Sequence, residues 1–483
     1  MSKQFTLAEF CRKRGITPEW LSSKEGYLKI DSRTKCLPDD ELVVGGNLTI
    51  KKNSFSKFPE RVVVGGDLTI ESCDLDELPK YIEVHGDVFA NHCGFKWIHN
   101  GCKFHQSVTF NKCRLLEITD FLHVHGDLSL NNCTIDTLPK GLVVDEGLYL
   151  FNTNIRSIPA DCRCKELYAA YSQLENIPDF WSVETLVISG CPIREMPRGL
   201  RNLKYLDIGK TQIREINDAY PDVVFEAAYS QLKKLPDNWN AKSVSVQGCP
   251  IEVLPRGLKV TTVLNIAQTR ITSIPDDCQV GCSIYAHNSK LKCVPGNLVL
   301  SGCLDVSDTD VMVIPSNVVC FTMTHNAGVQ VDAYRFNMHY DAIDFHPNGQ
   351  YICCDRILSR ILEHKGNVWR CEDLVKGKEH FILTDGAGHY AHGETMQSAK
   401  ADLRFKVGPR DISRYATLKL DDSLSFEEAY ACYRTITGAC QFGTDQFIQS
   451  LPEVKDTYTI REIIELTQGQ YGHKAFAQFF HAA

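Results

Sequence analysis

The sequence lacks any apolar run approaching the roughly 18 residues that a membrane-spanning helix requires. Its opening segment, MSKQFTLAEFCRKRG, also lacks the apolar core of a signal peptide. These absences predict a cytoplasmic protein that does not enter a membrane. Export by a pathway that does not use a cleavable signal peptide remains open.

Clustered basic residues are also missing, and the formal net charge is −8 with a pI near 6.1. Binding to phosphates needs a basic surface, so no nucleic-acid partner is expected. No P-loop, dinucleotide fingerprint or serine elbow occurs, and no cofactor is expected. The chain has 483 residues, 43% hydrophobic and 23% charged, which is typical of a soluble globular protein. That length suits several domains, or one repeat array with an appendage.

An apolar residue followed by proline recurs along most of the chain. Fifteen such anchors follow one another at spacings of 19, 20 or 21 residues, and three of them lack the proline. A period of this length, kept without a break in phase, indicates a solenoid of stacked repeats. The anchors are Leu37, Phe58, Leu78, Ile98, Ile118, Leu138, Ile158, Ile177, Met196, Ile216, Leu235, Leu254, Ile274, Val294 and Ile314.

A second repeated position fixes the register. Five residues before each anchor stands a small residue able to form hydrogen bonds, and an apolar residue such as Phe55, Leu75 or Ile213 usually follows two positions later. These small residues, which we call the ladder residues, are Ser32, Asn53, Cys73, Cys93, Cys113, Cys133, Thr153, Ser172, Cys191, Thr211, Ser230, Cys249, Thr269, Ser289 and Thr309. Upstream lies a short strand with two inward apolar positions, for example Leu206 and Ile208.

The pattern resembles the leucine-rich repeat L-x-x-L-x-L-x-x-N/C-x-L, and its Leu-Pro step resembles the short repeats of bacterial effector proteins. The resemblance implies an α/β solenoid with a curved parallel sheet. We therefore predict an N-terminal helical cap at residues 1–33, a solenoid of about fifteen repeats at 34–329 and a small α+β module at 330–483.

The repeats also contain a duplication. ELYAAYSQL at 166–174 recurs as VFEAAYSQL at 224–232, and CPIREMPRGL at 191–200 recurs as CPIEVLPRGL at 249–258. Both pairs are 58 residues apart, which is three repeats. Six of the 21 cysteines are ladder residues, where a small thiol packs, so reduced thiols and no metal are expected. The pairs Cys162/Cys164 and Cys278/Cys282 lie too far apart to share a zinc ion.

Residues between the inward strand positions point to the predicted concave face, because strand side chains alternate. In the middle of the array this face is rich in tyrosine among polar groups, a composition typical of protein-binding surfaces. The alternative is that the aromatic side chains only pack along the array. The predicted binding residues are Tyr168, Tyr171, Tyr205, Asp207, Glu226, Tyr229, Tyr285 and His287.

The C-terminal module begins with strand-like runs and ends in helices. Capping boxes open two of those helices, Ser425 with Glu428 and Thr459 with Glu462. The segments YAHGETMQSAKADLRFK, SFEEAYACYRTITGACQFGTDQFI and YTIREIIELTQGQYG are similar to a module found at the ends of uncharacterised bacteriophage and bacterial repeat proteins. The similarity implies a phage or bacterial origin and assigns no activity.

One pair in this module suits a cysteine hydrolase. Cys440 would supply a thiolate, His392 its base, and Asp385 or Glu394 would orient the imidazole. The order resembles that of caspase-like proteases, but Cys440 follows a helix here, so a cysteine that merely ends a helix is the competing interpretation. Cys371-Glu372-Asp373 resembles the Cys-x-Asp motif of bacterial ubiquitin ligases, whose catalytic part is larger and all helical.

His389-x-x-His392 could begin a metal site, but the proline–cysteine pair expected after HGE in zinc deaminases is absent, and no metal is predicted. The sequence therefore favours a protein that captures a protein partner on the solenoid. A cysteine-dependent enzyme whose solenoid recruits the substrate is the alternative.

Overall fold

The computed structural model describes residues 5–34, 36–39, 41–52, 58–73, 78–99, 101–337, 342–374 and 376–481. The chain forms two compact units. The first comprises Met1–Gln279, Tyr285–Lys292 and Asp308–Asp310, and the second comprises Val280–Ile284, Cys293–Ser307 and Val311–Ala483. The domain limits expected at 33/34 and 329/330 stay predictions.

Two short helices begin the first unit, α1 (Leu7–Lys13) and α2 (Pro18–Ser22). A capping box starts α1: the Glu9 N–H donates to Thr6 Oγ1 and the Thr6 N–H donates to the Glu9 carboxylate. Their apolar residues Phe10, Cys11 and Leu21 are buried. The two helices thus bury an apolar side just ahead of the first strand, which suits a cap.

A long parallel sheet forms the first unit, and each repeat adds one strand beside the previous one. Strand residues alternate between buried and half-exposed, because one face of each strand packs into the repeat and the other faces solvent. The predicted solenoid is confirmed. The strands are Leu28–Ile30, Leu48–Lys51, Leu68–Glu71, Val88–Asn91, Val108–Asn111, Leu128–Ser129, Gly147–Tyr149, Glu166–Tyr168, Thr185–Val187, Tyr205–Asp207, Val224–Glu226, Ser243–Ser245 and Val263–Asn265.

The array continues with Ser283–Tyr285, and in the second unit Cys303–Asp305 pairs in parallel with Thr322–Thr324. The returning segments of the repeats carry short strands of their own, and none of the described ones contains a helix. These strands are Glu41–Val44, Arg61–Val64, Tyr81–Val84, Gly94–Ile98, Lys103–Phe104, Arg114–Ile118, His123–Val124, Val143–Val144, Asn240–Ala241, Lys259–Val260, Gln279–Val280, Val313–Ile314 and Gln330–Val331.

The ladder residues from Cys73 to Thr309 are buried inside the repeats, whereas Ser32 is exposed, and the cysteines among them bond to backbone of their own or the preceding repeat. The Cys133 thiol donates to the carbonyl of Phe110 in the repeat before (3.3 Å), and Thr153 Oγ1 donates to the Leu150 carbonyl (2.9 Å). Throughout the described residues the cysteines are free thiols. The ladder cysteines therefore have a structural role, while Asn53, Phe55 and Leu75 lie outside the described residues.

The C-terminal part of the second unit opens with an antiparallel sheet whose described strands follow chain order, each joined to the next. They are β1 (Ile343–Phe345), β2 (Tyr351–Cys354), β3 (Ile357–Lys365), β4 (Val368–Asp373), β5 (Glu379–Thr384) and β6 (Tyr390–Gly393). Helices α3 (Met396–Val407), α4 (Phe426–Thr437), α5 (Gln441–Gln449), α6 (Ile460–Leu466) and α7 (His473–His481) follow, with a 3-10 turn at Ser413–Tyr415 and a paired strand ribbon of Ser423–Ser425 and Thr457–Thr459.

The predicted α+β module is confirmed, and both predicted capping boxes are present at α4 and α6. The core of the helical part contains Cys432, Ile460 and Phe476, all fully buried. Among the described residues, no helix combines the length and the apolar character needed to span a bilayer.

Candidate functional site

Half-exposed side chains on the parallel sheet form the first candidate surface. Asp207 and Glu226 are direct neighbours across adjacent strands, and each lies beside an inward residue, Leu206 or Phe225, that is fully buried. Tyr205 precedes Asp207 by two positions on the same side of its strand. The alternation of the strands thus brings a tyrosine and two carboxylates onto one face.

This part of the face carries several acidic groups close together. Burial, followed by the charges of Asp207 and Glu226, raises the pKa of Tyr205. Burial also raises the pKa of Glu226, with a smaller contribution from Asp207. Burial and a hydrogen bond to Glu166 raise the pKa of Tyr168 to about 12. Each shift has the sign expected where a tyrosine or a carboxyl group is partly desolvated beside carboxylates.

Tyr171 follows the strand Glu166–Tyr168 and has a left-handed backbone, with φ of 57°. Its ring lies against Gly190 of the next repeat, where a Cβ would come within 2.6 Å of the ring atom Cδ1. The hydroxyl accepts a hydrogen bond from Lys210 Nζ (2.9 Å) in the repeat after that. One tyrosine therefore spans three repeats.

Tyr229 repeats this arrangement 58 residues later. Its φ is 59°, and a Cβ on Gly248 would lie 2.4 Å from its ring. Its hydroxyl donates to Gln268 Oε1 (3.1 Å). We call Tyr171 with Gly190 and Tyr229 with Gly248 the two tyrosine platforms; the tyrosine side chains are 47% and 49% exposed.

The two remaining predicted residues, Tyr285 and His287, extend the same array. The Tyr285 carbonyl accepts from the Ile266 N–H and the His287 carbonyl accepts from the Gln268 N–H, and both residues are half-buried. Tyr149 was not predicted as a binding residue, and its ring stacks on Tyr168 with centroids 4.8 Å apart. Tyr149 occupies the same position in its repeat as Tyr168 does in the next repeat, and this equivalence could have been read from the sequence.

A cavity of about 320 Å³ in the second unit is the second candidate site. Cys440 and His392, which the sequence analysis paired, both line it. Asp355, Lys406 and Tyr471 line it as well and were not predicted. The structure therefore brings together two of the residues proposed for cysteine chemistry and adds a carboxylate and an amine.

Cys440 is the N-cap of α5, and its thiol accepts a hydrogen bond from the Gly443 N–H (3.3 Å). The side chain is buried, and this burial, more than any other cause, raises the pKa of the thiol to about 11. The thiol is therefore neutral at physiological pH. An activated nucleophile has the opposite shift.

His392 lies on β6 with no exposed surface, and its ring packs against those of His380 and Phe442, each at a centroid distance of 5.7 Å, while those two rings are themselves 5.5 Å apart. Nε2 lies 3.5 Å from Oδ2 of Asp355. Asp355 and Arg356 form the tight turn between β2 and β3, both with a left-handed backbone that usually favours Asn-Gly. That departure from ordinary turn chemistry is a sequence signal for Asp355.

The other predicted groups lie elsewhere. Asp385 is on the turn between β5 and β6 and accepts from His389 Nδ1 (2.7 Å), and Glu394 lines a different cavity of about 600 Å³. Neither lines the cavity of Cys440. Cys371 is fully buried within β4, and burial raises the pKa of its thiol to about 12.

Comparison with protein-family models finds no match, and comparison with the curated proteins finds none. Among solved structures the chain is similar to YopM from Yersinia enterocolitica WA-314, with 16% identity over 66% of this chain and 81% of that chain, at a TM-score of 0.34. The repeat pattern and the parallel sheet described above define the solenoid as one of leucine-rich repeats.

Proposed function

We propose that the protein binds a protein partner on the exposed face of its parallel sheet, with the two tyrosine platforms as the main contacts. The observation that carries this proposal is the backbone of Tyr171 and Tyr229. A bulky residue in the left-handed region costs roughly 1–2 kcal/mol relative to the ordinary conformation.

Folding alone does not require tyrosine at this position. Equivalent positions in other repeats, also with left-handed backbones, hold Asn152, Lys210 and Gln268. Asparagine and glycine adopt this conformation more readily than tyrosine. A half-exposed tyrosine kept at an unfavourable backbone position supports a role outside the fold, because tyrosine supplies a large contact area with a polar tip.

The chemistry of the partner follows from the acidic side chains near the platforms. Asp207 and Glu226 are adjacent, and burial keeps the pKa of Glu226 raised. A cationic group placed there would favour the ionised carboxylates and could also lie on a tyrosine ring. We therefore expect the partner to present an arginine or lysine to this face.

The test is quantitative affinity capture with the full chain as bait, comparing wild type with the double variant Tyr171→Ala/Tyr229→Ala. The matched control is Phe121→Ala/Phe180→Ala. Both phenylalanines are exposed, have left-handed backbones and lie against the glycines Gly141 and Gly199, but they belong to the returning segments. A partner identified by mass spectrometry is then purified and its Kd measured by calorimetry.

We expect the tyrosine pair to weaken binding at least about 30-fold, because central aromatic contacts are worth roughly 2 kcal/mol or more. Asp207→Asn with Glu226→Gln should weaken the same partner and reduce the salt dependence of its binding. Undiminished binding by the tyrosine variant would place the site elsewhere. Loss confined to the phenylalanine variant would move it to the returning segments.

The free thiols of the ladder support a reducing, cytoplasmic location, since an oxidising compartment favours disulfides. The cysteine-enzyme hypothesis has one observation in its favour, the shared cavity of Cys440 and His392. A thiol probe separates the two functions: an enzyme requires fast labelling of Cys440 that disappears in His392→Ala. We expect labelling no faster than that of Cys432, a fully buried thiol of the helical core.

A further inference from the structure

Cys354, Asp355 and His392 come together in the C-terminal module. Cys354 ends β2, Asp355 begins the turn that follows it, and His392 lies on β6. One ligand-type atom from each residue lies within 4.8 Å of the other two. The antiparallel sheet thus assembles a thiol, a carboxylate and an imidazole, the first two being 38 and 37 residues before the third in the chain.

The imidazole of His392 is the member that the fold leaves unexplained. It has no exposed surface, and neither ring nitrogen has a hydrogen-bond partner among the described residues. The 3.5 Å approach of Nε2 to Asp355 exceeds the usual length of a hydrogen bond. A buried polar group without a partner costs about 1–3 kcal/mol, so such a group indicates a missing water or ion.

We propose that Cys354, Asp355 and His392 bind a divalent transition-metal ion, for which Zn²⁺ is the best fit. Sulfur, imidazole nitrogen and carboxylate oxygen are the donor atoms that zinc takes in proteins. With metal–ligand bonds of about 2.0–2.3 Å at tetrahedral angles, ligand atoms lie roughly 3.3–3.8 Å apart. The separation of His392 Nε2 and Asp355 Oδ2 already falls in that range, and the 4.8 Å limit requires only side-chain adjustment.

A fourth ligand position would face the cavity, which Asp355, His392 and Cys440 all line. Lys406 also lines it, and its ammonium donates to the Tyr390 carbonyl (3.2 Å). Ionised Cys354 and Asp355 balance the charge of Zn²⁺, and Lys406 and Arg356, which both line the cavity, leave it positive. A hydroxide from the cavity, or the thiolate of Cys440, would reduce that positive charge as the fourth ligand.

Metal binding must remove the proton from the Cys354 thiol. Zinc binds the thiolate form of cysteine and not the thiol. On binding, Zn²⁺ replaces that proton, which passes to solvent. The number of protons released, measured by calorimetry in buffers of different ionisation enthalpy, is therefore part of the test.

Two other clusters in the first unit offer histidines and a carboxylate, Glu83 with His85 and His105, and Asp145 with His123 and His125. Their histidines are partly exposed and already face the carboxylates, as in the contact of His123 Nε2 with Asp145 Oδ1 (2.9 Å). They contain no sulfur. A test of the buried site must therefore detect a metal–sulfur bond and not only bound metal.

The experiment is a titration of the full chain, stripped of metal under reducing conditions, with Co²⁺ as a spectroscopic substitute for Zn²⁺. We expect a thiolate-to-cobalt charge-transfer band in the near ultraviolet and visible bands typical of four-coordinate cobalt, with both displaced by one equivalent of Zn²⁺. Cys354→Ser should remove the part of the charge-transfer band that its own sulfur contributes, and Cys354→Ser combined with Cys440→Ser should abolish the band. Cys353→Ser is the matched control, because Cys353 is the neighbouring, equally buried cysteine and packs in a different cluster with Leu358 and Phe336.

Absence of the charge-transfer band in the folded wild type would overturn the proposal, as would a band of undiminished intensity in Cys354→Ser. Asp355→Asn provides a second variant if Cys354→Ser fails to fold: it should weaken Co²⁺ binding about tenfold or more while the sulfur band remains. An unchanged affinity would exclude Asp355 as a ligand and contradict the site as proposed. Cys440→Ser should reduce the intensity of the band if that thiolate is the fourth ligand, and leave it unchanged if hydroxide is.

Discussion

Gly190→Ala is the substitution that tests the tyrosine platform most directly. Gly190 has φ of 73°, a conformation that favours glycine, and the new methyl would lie 2.6 and 2.8 Å from ring atoms of Tyr171. Such contacts are too short to persist, so the ring must rotate away. The rotation would also break the hydrogen bond between the Tyr171 hydroxyl and Lys210.

The cost has two separable parts. Placing alanine at a left-handed backbone position costs roughly 1 kcal/mol or slightly more relative to glycine. Moving the tyrosine off its rotamer adds about 0.5–1.5 kcal/mol. We therefore expect Gly190→Ala to lower the free energy of unfolding by about 1.5–2.5 kcal/mol, and by only about 1 kcal/mol when Tyr171 is already alanine.

The assay is a double-mutant cycle in urea, with wild type, both single variants and the double variant compared at the same protein concentration. Gly199→Ala is the control, since Gly199 has φ of 61° and its methyl would lie 2.6 Å from the ring of Phe180. The two glycine variants should lose similar stability, while only Gly190→Ala should weaken partner binding.

A coupling energy near zero between Tyr171→Ala and Gly190→Ala would mean that the ring does not lie on Gly190, and would refute the geometry on which the proposed function depends. Equal loss of partner binding in Gly199→Ala would have a different meaning. It would show that binding follows general stability and not the position of the tyrosine.

Three further predictions concern stability. The pKa of Glu226 is raised in the folded state, so its contribution to stability is favourable below about pH 4.3 and is lost as the pH rises through the folded pKa. Glu226→Gln should therefore stabilise the protein at pH 7, by less than about 1 kcal/mol because solvent screens a half-exposed group. In thermal unfolding near pH 3.5, the same substitution should give no gain. Trp239→Phe should lower the free energy of unfolding in urea by about 2–4 kcal/mol. The fully buried indole donates to the Tyr220 carbonyl (2.7 Å), so the substitution removes that donor and also creates a cavity. A cost below about 1 kcal/mol would contradict this reasoning. Arg434→Met should cost about 3 kcal/mol, because it leaves the buried carboxylate of Asp402 without the guanidinium 2.7 Å away, and Asp402→Asn in the same chain should recover part of the loss.

The solenoid could be predicted because its determinants are local and repeated. Each repeat places a small hydrogen-bonding residue such as Cys133 at a fixed distance from the apolar anchor Leu138, and repetition of a weak signal makes it specific. The outward direction of Tyr205 and Asp207 followed from strand alternation alone. The capping boxes at Ser425 and Thr459 were equally local, because N-cap chemistry depends on residues three positions apart.

The buried cluster of the C-terminal module could not be predicted in this way. Whether His392 meets Asp355 depends on the order and register of β2 to β6, which are set by packing between strands distant in sequence. Asp385 is seven residues before His392 and was predicted to orient it, but the turn between β5 and β6 directs Asp385 to His389 instead. Closeness in sequence within one hairpin thus pointed to His392 as the partner of Asp385, whereas the actual partner is His389.

The duplicated block adds a constraint on the partner. Tyr171 and Tyr229 are three repeats apart, and with strands about 4.8 Å apart their platforms are separated by roughly 14 Å. That distance matches about ten residues of a helix, or four to five of an extended strand.

The copies differ in the group that meets the tyrosine hydroxyl, a cationic Lys210 in one and a neutral Gln268 in the other. A partner that spans both platforms would therefore contact two similar tyrosine surfaces, only one of which has a positive charge beside it. This difference in charge would favour one direction of the partner along the array. Exchanging the two groups, Lys210→Gln with Gln268→Lys, keeps the net charge and both tyrosines, and should weaken a partner that reads this direction; unchanged affinity would mean that the platforms bind independently.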